Sequence, residues 1–570
     1  MTRILITSAL PYINGVKHLG NLSGSMLPAD VYARYRRARG DEVMFVCATD
    51  EHGTPAELAA LEAGQDVEAY CTEQHEIQKS LGERFGCSWA VFGRSSSPQN
   101  RELTQHFARA LWKQGLLEVR TTKQVYSHAE KRFLPDRYVI GTCPHCGYER
   151  ARGDQCENCT RVLDPTDLID ARSALSGSRE IEIRDSAHLF LKQSQFVGRL
   201  REWIDGHEKD WPALVKSIAR KWLDEGLNDR GITRDLSWGV PVPDDIGDGQ
   251  LAGKVFYVWF DAPIEYIGAT KEWADANGRG DEWLKWWRPE NPSDVTYVEF
   301  MAKDNVPFHT VGFPVTIMGS GENWKLVDRI KGFNWLTYYG GKFSTSQKRG
   351  VFMDKALEIQ PADAWRWYLT FNAPEGADSS FTWEHFAGTV NKDLADVFGN
   401  FVNRITRFTA SRFEGKVPGE GEYGEDEKAL EADLDSRIAK YAAYMNDIEY
   451  RKALTELRAI WVAGNEYLTK AAPWTHFKTD TTKAAVGVRM GLNLVRLFAC
   501  LSAPVIPTIA KAAYEAFAPA PETLPWPDRP MADYLDGLEA GAAVTPPAVL
   551  VAKITDEFVE AWKARFGGAE

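Results

Sequence analysis

The sequence predicts an α/β fold in which a parallel sheet is interrupted by an insertion and followed by an α-helical bundle. Three observations carry this expectation: a strand–helix–strand pattern opens the chain, a cysteine-rich irregular region follows, and amphipathic helices with few strand signals run from about residue 391 to 517. At 570 residues the chain is too long for one hydrophobic core, so several domains are expected.

Residues 3–10 are rich in Ile, Leu and Thr and read as a buried strand that ends in the loop "PYINGVK". From 20 to 39 apolar residues recur at helical spacing (Leu22, Met26, Ala29, Ala33) until Gly40 stops the helix, and "EVMFVCATD" reads as a second strand. Such units build parallel sheets whose ligands gather at the carboxyl ends of strands, where "ALPYINGVKHLGN" and "ATDEHGTP" both fall. After about Leu116 the alternation breaks, and it resumes after Leu236 with "KVFYVWFDAP" and "VTYVEFMAKD" as strands and "VPFHTVGFPVTIMG" as a helix. The expected units are 1–116, an insertion over 117–236, 237–325, 326–390, a helical domain over 391–530, and 531–570. In the last of these a Pro- and Gly-rich wrap leads to "LVAKITDEFVEAWKARFGG", read as a strand or turn and a helix.

The composition, 44% hydrophobic and 26% charged, is that of a globular chain. A net charge of −13 argues against indiscriminate coating of nucleic acid, although local basic faces leave a defined RNA substrate open. No run approaching the roughly 20 apolar residues of a membrane span is read, and "MTRILITSALPY" does not resemble a signal peptide, so a cytoplasmic protein is expected. Of eight cysteines, Cys47, Cys71, Cys87 and Cys500 are scattered, while Cys143, Cys146, Cys156 and Cys159 form two CxxC pairs separated by nine residues. Paired thiolates on tight turns can close a tetrahedral shell around zinc, and four protein ligands leave no open position, so the expected ion is structural.

His18, Gly20 and Asn21 stand at the start of the helix that follows the first strand. Free N–H groups and the helix dipole favour an anion there, Gly20 allows close approach, and His18 can donate to phosphate. A lone HxGN is more often a capped helix with a surface histidine. Far downstream, "GGKFSTSQKRG" at 340–350 is a glycine-flanked loop carrying Lys342, Ser344, Thr345, Lys348 and Arg349.

With "HLGN" near the start and "KFSTS" downstream, the stretches "TSALPYINGVKHLGN", "ATDEHGTP", "FYVWFDAPIEYIG" and "NEYLTKAAPW" resemble the methionyl-tRNA synthetases, class I enzymes, over nearly the whole chain. The resemblance implies a Rossmann-type catalytic domain split by a zinc knuckle, and a helical anticodon-binding domain. It implies activation of methionine by ATP with Mg²⁺ and transfer to the terminal adenosine of tRNA(Met). His18, Gly20, Asn21, Lys303, Asp304, Lys342, Ser344 and Thr345 then match ATP-binding positions, with His18, Asn21, Lys342, Thr345 and Lys348 assigned to catalysis.

Methionine offers an ammonium, a slim stem and a weakly accepting sulfur, which call for a carboxylate and aromatic walls. Asp50 is the candidate anion, and Leu10, Tyr12, Trp259, Pro263, Tyr266 and His309 match the family's pocket, with Leu10 and Tyr266 expected to meet the sulfur. Asn400, Arg404 and Trp474 match anticodon-binding positions, where aromatic stacking and hydrogen bonds read single-stranded bases.

Three departures stand out. Thr345 replaces the family's second loop lysine, for which Lys348 or Arg349 would substitute; Gly312 stands where many bacterial members carry a bulky aromatic; and Asn21 replaces a histidine. A monomer acting on neither membrane nor DNA is expected. The rival readings are a ligase for another small apolar amino acid, disfavoured by the lack of room for a large editing insertion; a catalytically dead zinc-stabilised RNA-binding protein; and a drug-tolerant duplicate.

Overall fold

The computed structural model describes residues 2–159, 161–344 and 349–567. Its central sheet has five parallel strands in the order Arg329–Phe333, Val295–Ala302, Arg3–Ser8, Glu42–Thr49, Val91–Arg94. A parallel sheet covered on both faces needs strands apolar on both sides. Ile4, Leu5 and Ile6 meet that need, as do Val298, Phe300 and Met301, all at most 1% exposed. The chain steps outward from the first strand to one edge and later returns to its other side. The topological switch point therefore lies at the carboxyl ends of Arg3–Ser8 and Val295–Ala302.

The helix expected over 20–39 forms in three parts: Leu19–Asn21, a wide π turn over Leu22–Met26, and Leu27–Ala38, followed by Gly40 at φ +85°. Pro28 has no N–H to give to the preceding turn, and the wide turn accommodates its ring. The "FYVWFDAP" stretch departs from expectation. Only Val255–Phe256 is extended, and it pairs with Thr233–Arg234 and not with the central sheet, while Val258–Asp261 is helical. All of its residues but the half-buried Trp259 are buried, most of them apolar, and such a run does not distinguish a strand from a buried helical turn. The central sheet resumes at Val295.

Between the sheet halves, Leu117–Ser127 and Ile181–Leu191 form a long antiparallel pair. A small sheet of Val139–Thr142, Ala151–Arg152 and Ile169–Ser173 hangs from it and carries the four cysteines.

The carboxy-terminal half is helical, with Asn400–Arg412, Glu425–Asn446, Tyr450–Ala471 and Thr481–Ser502 as its principal members. Thr481–Ser502 is long and apolar enough to cross a bilayer (mean hydropathy 1.5), contrary to the expectation that no such run exists. Its apolar stretch is 89% buried within the protein, which makes it a core helix of the bundle. Residues 550–555, read as a strand or turn, form no strand before the last helix, Asp556–Phe566. Instead the Asn391 side chain pairs with both backbone groups of Ile554 at 2.8 Å, as a strand neighbour would.

The helical half shares its core with the half that carries the parallel sheet. Trp367 packs on Trp461 with centroids 4.7 Å apart, and Trp526 of the wrap sits against both Tyr35 and Tyr441. Arg366 pairs with Asp30 at 2.7 Å with neither side chain exposed, and also donates to the carbonyls of Phe85, Pro504 and Val505. Burial would raise the Asp30 carboxyl, but the guanidiniums of Arg34 and Arg366 and the bonds from Ser88 hold it at about 2.

Candidate active site

The HLGN turn is pinned by its own cap and by Phe343, Val351 and Met353. His18 caps the helix: its Nδ1 accepts the Asn21 N–H at 3.2 Å, while Asn21 Oδ1 accepts the His18 N–H at 3.3 Å. Burial, aided by the Lys17 ammonium, pushes the His18 imidazole down to about 4. A neutral ring whose Nδ1 accepts must carry its proton on Nε2, which leaves that N–H to donate to a ligand. Asn21, expected as a phosphate donor, gives its backbone N–H to the cap.

The lysine loop docks on this turn. Leu19 donates to the Val351 carbonyl at 3.0 Å and Met353 to the Lys17 carbonyl at 2.9 Å, while Phe343 stacks on His18 at 4.9 Å. Gly350, at φ +103°, must be glycine, since a Cβ there would lie 2.2 Å from Phe343. Ser344 and Arg349 exchange both backbone hydrogen bonds and close the loop; Thr345 and Lys348 lie outside the described residues. Arg349 donates to the Tyr338 carbonyl at 3.1 Å and packs against Gly341.

Between turn and loop lies a cavity of about 380 Å³ whose lining includes Leu10, Tyr12, His18, Gly20, Asn21 and Lys342. Asp304 also lines it and accepts from Trp335 Nε1 at 3.4 Å. Lys303 is engaged nearby: its ammonium lies 2.7 Å from Asp378 and 4.2 Å from the Trp335 ring centroid. Lys342 approaches the same ring at 4.9 Å.

Asp50 closes the second strand, only 6% exposed, and its Oδ1 has no hydrogen-bond partner among the described residues. Burial, then the charges of Asp261 and Glu51, raise its carboxyl well above the ordinary range, and Lys17 opposes them. A cation delivered to that oxygen would relieve the cost of burying it. Nearby, Trp259 packs on Phe308 at 4.4 Å and directs Nε1 to the Tyr12 hydroxyl at 3.5 Å. Pro263 and Tyr266 are buried, and Tyr266 is hydrogen-bonded to His309 at 2.8 Å. A Cβ on Gly312 would meet nothing within 4 Å.

The cysteine sulfurs all lie within 4.8 Å of one another, with Cys143–Cys159 at 3.9 Å and Cys146–Cys156 at 3.6 Å. Zinc–sulfur bonds of about 2.3 Å give tetrahedral edges of roughly 3.8 Å, so the cluster suits a structural zinc. On the helical half Arg404 lies 4.3 Å over the Trp474 ring, and Asn400 is exposed one turn earlier on the same helix.

A family model for class I tRNA synthetases (M) matches residues 4–406, and one for the anticodon-binding domain of methionyl-tRNA ligase matches 417–570. The methionine–tRNA ligase of Maricaulis maris is 61% identical over 572 residues, covering 100% of both chains. The chain belongs to the methionyl-tRNA synthetase family. That makes it a class I aminoacyl-tRNA synthetase, a ligase that uses ATP. The Streptomyces avermitilis methionine–tRNA ligase is 59% identical over 574 residues, again covering 100% of both. A Mycobacterium tuberculosis methionyl-tRNA synthetase solved with methionyl-adenylate shares the fold, with a TM-score of 0.77 over 96% of this chain and 99% of that one at 23% identity.

Of the residues singled out in the sequence, the cavity brings together Leu10, Tyr12, His18, Gly20, Asn21, Asp304 and Lys342. The fold also adds three that sequence reasoning passed over. Trp335 draws in Lys303, Asp304 and Lys342, and its only sequence signal is its place just before the loop. Arg230, from the insertion, lies 4.3 Å over Trp259. Lys17, beside the cap, lines the cavity.

Proposed function

We propose that this synthetase activates methionine with ATP and charges tRNA(Met) through the residues gathered at the switch point. The observation that carries the reading is Asp50, a buried carboxylate whose Oδ1 has no partner among the described residues, bridged through its backbone to Tyr12, which lines the cavity that His18 and Lys342 also line. Asp50 takes the substrate ammonium. Leu10, Tyr12, Trp259, Pro263, Tyr266 and His309 enclose the thioether side chain, and sulfur–aromatic contact suits such walls.

His18 donates Nε2–H to phosphate, Gly20 lets it approach, and Lys342 supplies charge from the loop, with Lys303 and Asp304 at the nucleotide end. ATP enters as its Mg²⁺ complex. The methionine carboxylate is already ionised, so its attack on the α-phosphate needs no general base; catalysis is positioning and charge stabilisation. The terminal ribose hydroxyl of tRNA then attacks the activated carbonyl. Asn400, Arg404 and Trp474 bind the anticodon. Thr345 and Lys348 complete the phosphate loop. The enzyme acts as a cytoplasmic monomer.

The deciding experiment is methionine-dependent exchange of labelled pyrophosphate into ATP, with leucine, isoleucine and cysteine as competitors. Exchange with methionine alone is expected. Absence of exchange with every amino acid, from folded zinc-loaded protein, would leave the RNA-binding reading in its place.

A further inference from the structure

Lys17 has no part in the roles described above, yet its placement is unusual. A lysine is ordinarily a surface residue, and a buried one normally meets a carboxylate. Lys17 is 5% exposed, and among the described residues its ammonium makes a single hydrogen bond, to the neutral Oδ1 of Asn14 at 2.8 Å. Among the described residues no carboxylate lies within ion-pair distance of it. An ammonium has three donors, so most of its capacity is unspent.

The backbone does not let Lys17 leave. Its carbonyl accepts from Met353, and the Leu19 N–H just beyond it donates to Val351, so residues 17–19 are strapped to the segment after the lysine loop. Both Lys17 and Asn14 line the 380 Å³ cavity, together with His18, Asn21 and Lys342. Burial pushes the ammonium down to about 7 against the pull of Asp50, and its charge in turn is felt at His18. The amine is therefore coupled to the residue that takes the substrate ammonium on one side and to the phosphate donor on the other.

The substrate carboxylate lies two bonds from that ammonium, so the reacting centre falls between Asp50 and His18. We infer that Lys17 is a catalytic residue of adenylation, its ammonium held against the α-phosphate while the methionine carboxylate attacks. The inference rests on the adenylation reading above. In the step, a carboxylate oxygen forms a bond to the α-phosphorus as the bond to the bridging oxygen breaks. The electron pair leaves with pyrophosphate, and no proton is transferred. Negative charge gathers on the α-phosphoryl oxygens, where a cation held beside them acts most strongly, and that charge in turn keeps the Lys17 amine protonated. Lys342, exposed on the loop, serves the departing end.

The test compares Lys17→Met, Lys17→Gln and Lys17→Arg in the full-length zinc-loaded enzyme. Pyrophosphate exchange gives kcat, and quenching of tryptophan fluorescence without ATP gives the methionine Kd. The Met and Gln variants are expected to lose about 10²- to 10³-fold in kcat, as when one donor to a developing oxyanion is removed, with the methionine Kd changed by less than about threefold. The Arg variant should recover about tenfold or more, since it restores the charge.

Variants that exchange within about threefold of wild type would overturn the inference. So would a kcat loss that Arg does not rescue and that tracks a weakened methionine Kd, or failure of all three variants to fold, because either result makes Lys17 a structural residue. A wild-type enzyme inactive with every amino acid would overturn the adenylation reading itself, a result separable from active wild type with unaffected variants.

Discussion

Tyr266 donates its hydroxyl to Nε2 of His309 across 2.8 Å, and the direction of that bond is settled by the other side of the ring. Nδ1 lies 2.9 Å from the Asn305 carbonyl, which can only accept, so Nδ1 carries the proton and Nε2 must receive one. Burial pushes the His309 imidazole down to about 4, which keeps it neutral at physiological pH. Tyr266→Phe would leave Nε2 buried without a donor. The expected cost is about 1–3 kcal/mol of stability, with a rise in the KM for methionine larger than any fall in kcat. Urea denaturation together with exchange kinetics measures both, and an unchanged KM would remove Tyr266 from the pocket.

Glu299 lies on the central strand Val295–Ala302, 1% exposed. Tyr297 donates to its Oε1 at 2.6 Å, while Oε2 has no partner among the described residues. Burial raises its carboxyl to about 8, with the Tyr297 bond opposing. Because the folded value lies above the unfolded one, near 4.5, the folded state binds more protons between those values, and stability is lost as pH rises through that window. Glu299→Gln removes the proton linkage and can still accept from Tyr297. The variant should match wild type near pH 5 and exceed it by about 2 kcal/mol or more at pH 8. Urea midpoints at the two pH values give the comparison; a constant difference would mean that Glu299 is ionised in the folded protein.

The knuckle predicts a separable unit. Cys143 and Cys156 are buried and Cys146 is exposed, so the shell is built at the edge of the small sheet and not within the catalytic core. Four sulfurs leave zinc no open position. One zinc per chain is expected, and its removal by a chelator, or Cys156→Ser, should open the segment from 139 to 173 to protease while the five-stranded sheet keeps its hydrogen-exchange protection. Equal loss of protection in both would show that the insertion and the catalytic sheet unfold as one.

These sites differ in how far the sequence could announce them. The zinc cluster was legible because its ligand spacing is local, and the first strand–helix–strand unit because its apolar period is unbroken. "FYVWFDAP" misled because a mostly buried segment loses its period, and Thr481–Ser502, read as a helix, was not recognised as long and apolar enough for a span because Arg489 and Arg496 interrupt its apolar run. Lys17 and Trp335 could not be read at all, since their placement depends on Val351–Met353 and Asp378, remote in sequence. Arg349, one of the two candidates to substitute for the loop lysine, donates to the Tyr338 carbonyl, a contact set by the closure of the loop.

The anticodon face yields the last prediction. The left-handed Ala472 (φ +36°) and Pro473 turn the chain so that Trp474 packs edge-on to Phe408, with centroids 6.3 Å apart, and beneath Arg404. Arg404 and Asn400 are exposed, and a guanidinium over an indole gives both a cationic and a stacking surface to one unpaired base. Stacking of a base on an aromatic side chain is worth about 1–3 kcal/mol, so Trp474→Ala should raise the KM for tRNA by about 5- to 150-fold. Arg404→Ala should raise it less, because the indole remains. Neither residue lines the cavity between the HLGN turn and the lysine loop, so pyrophosphate exchange without tRNA should stay within about twofold of wild type. A fall in exchange that matches the loss of charging would instead place Trp474 in the common core of the two halves.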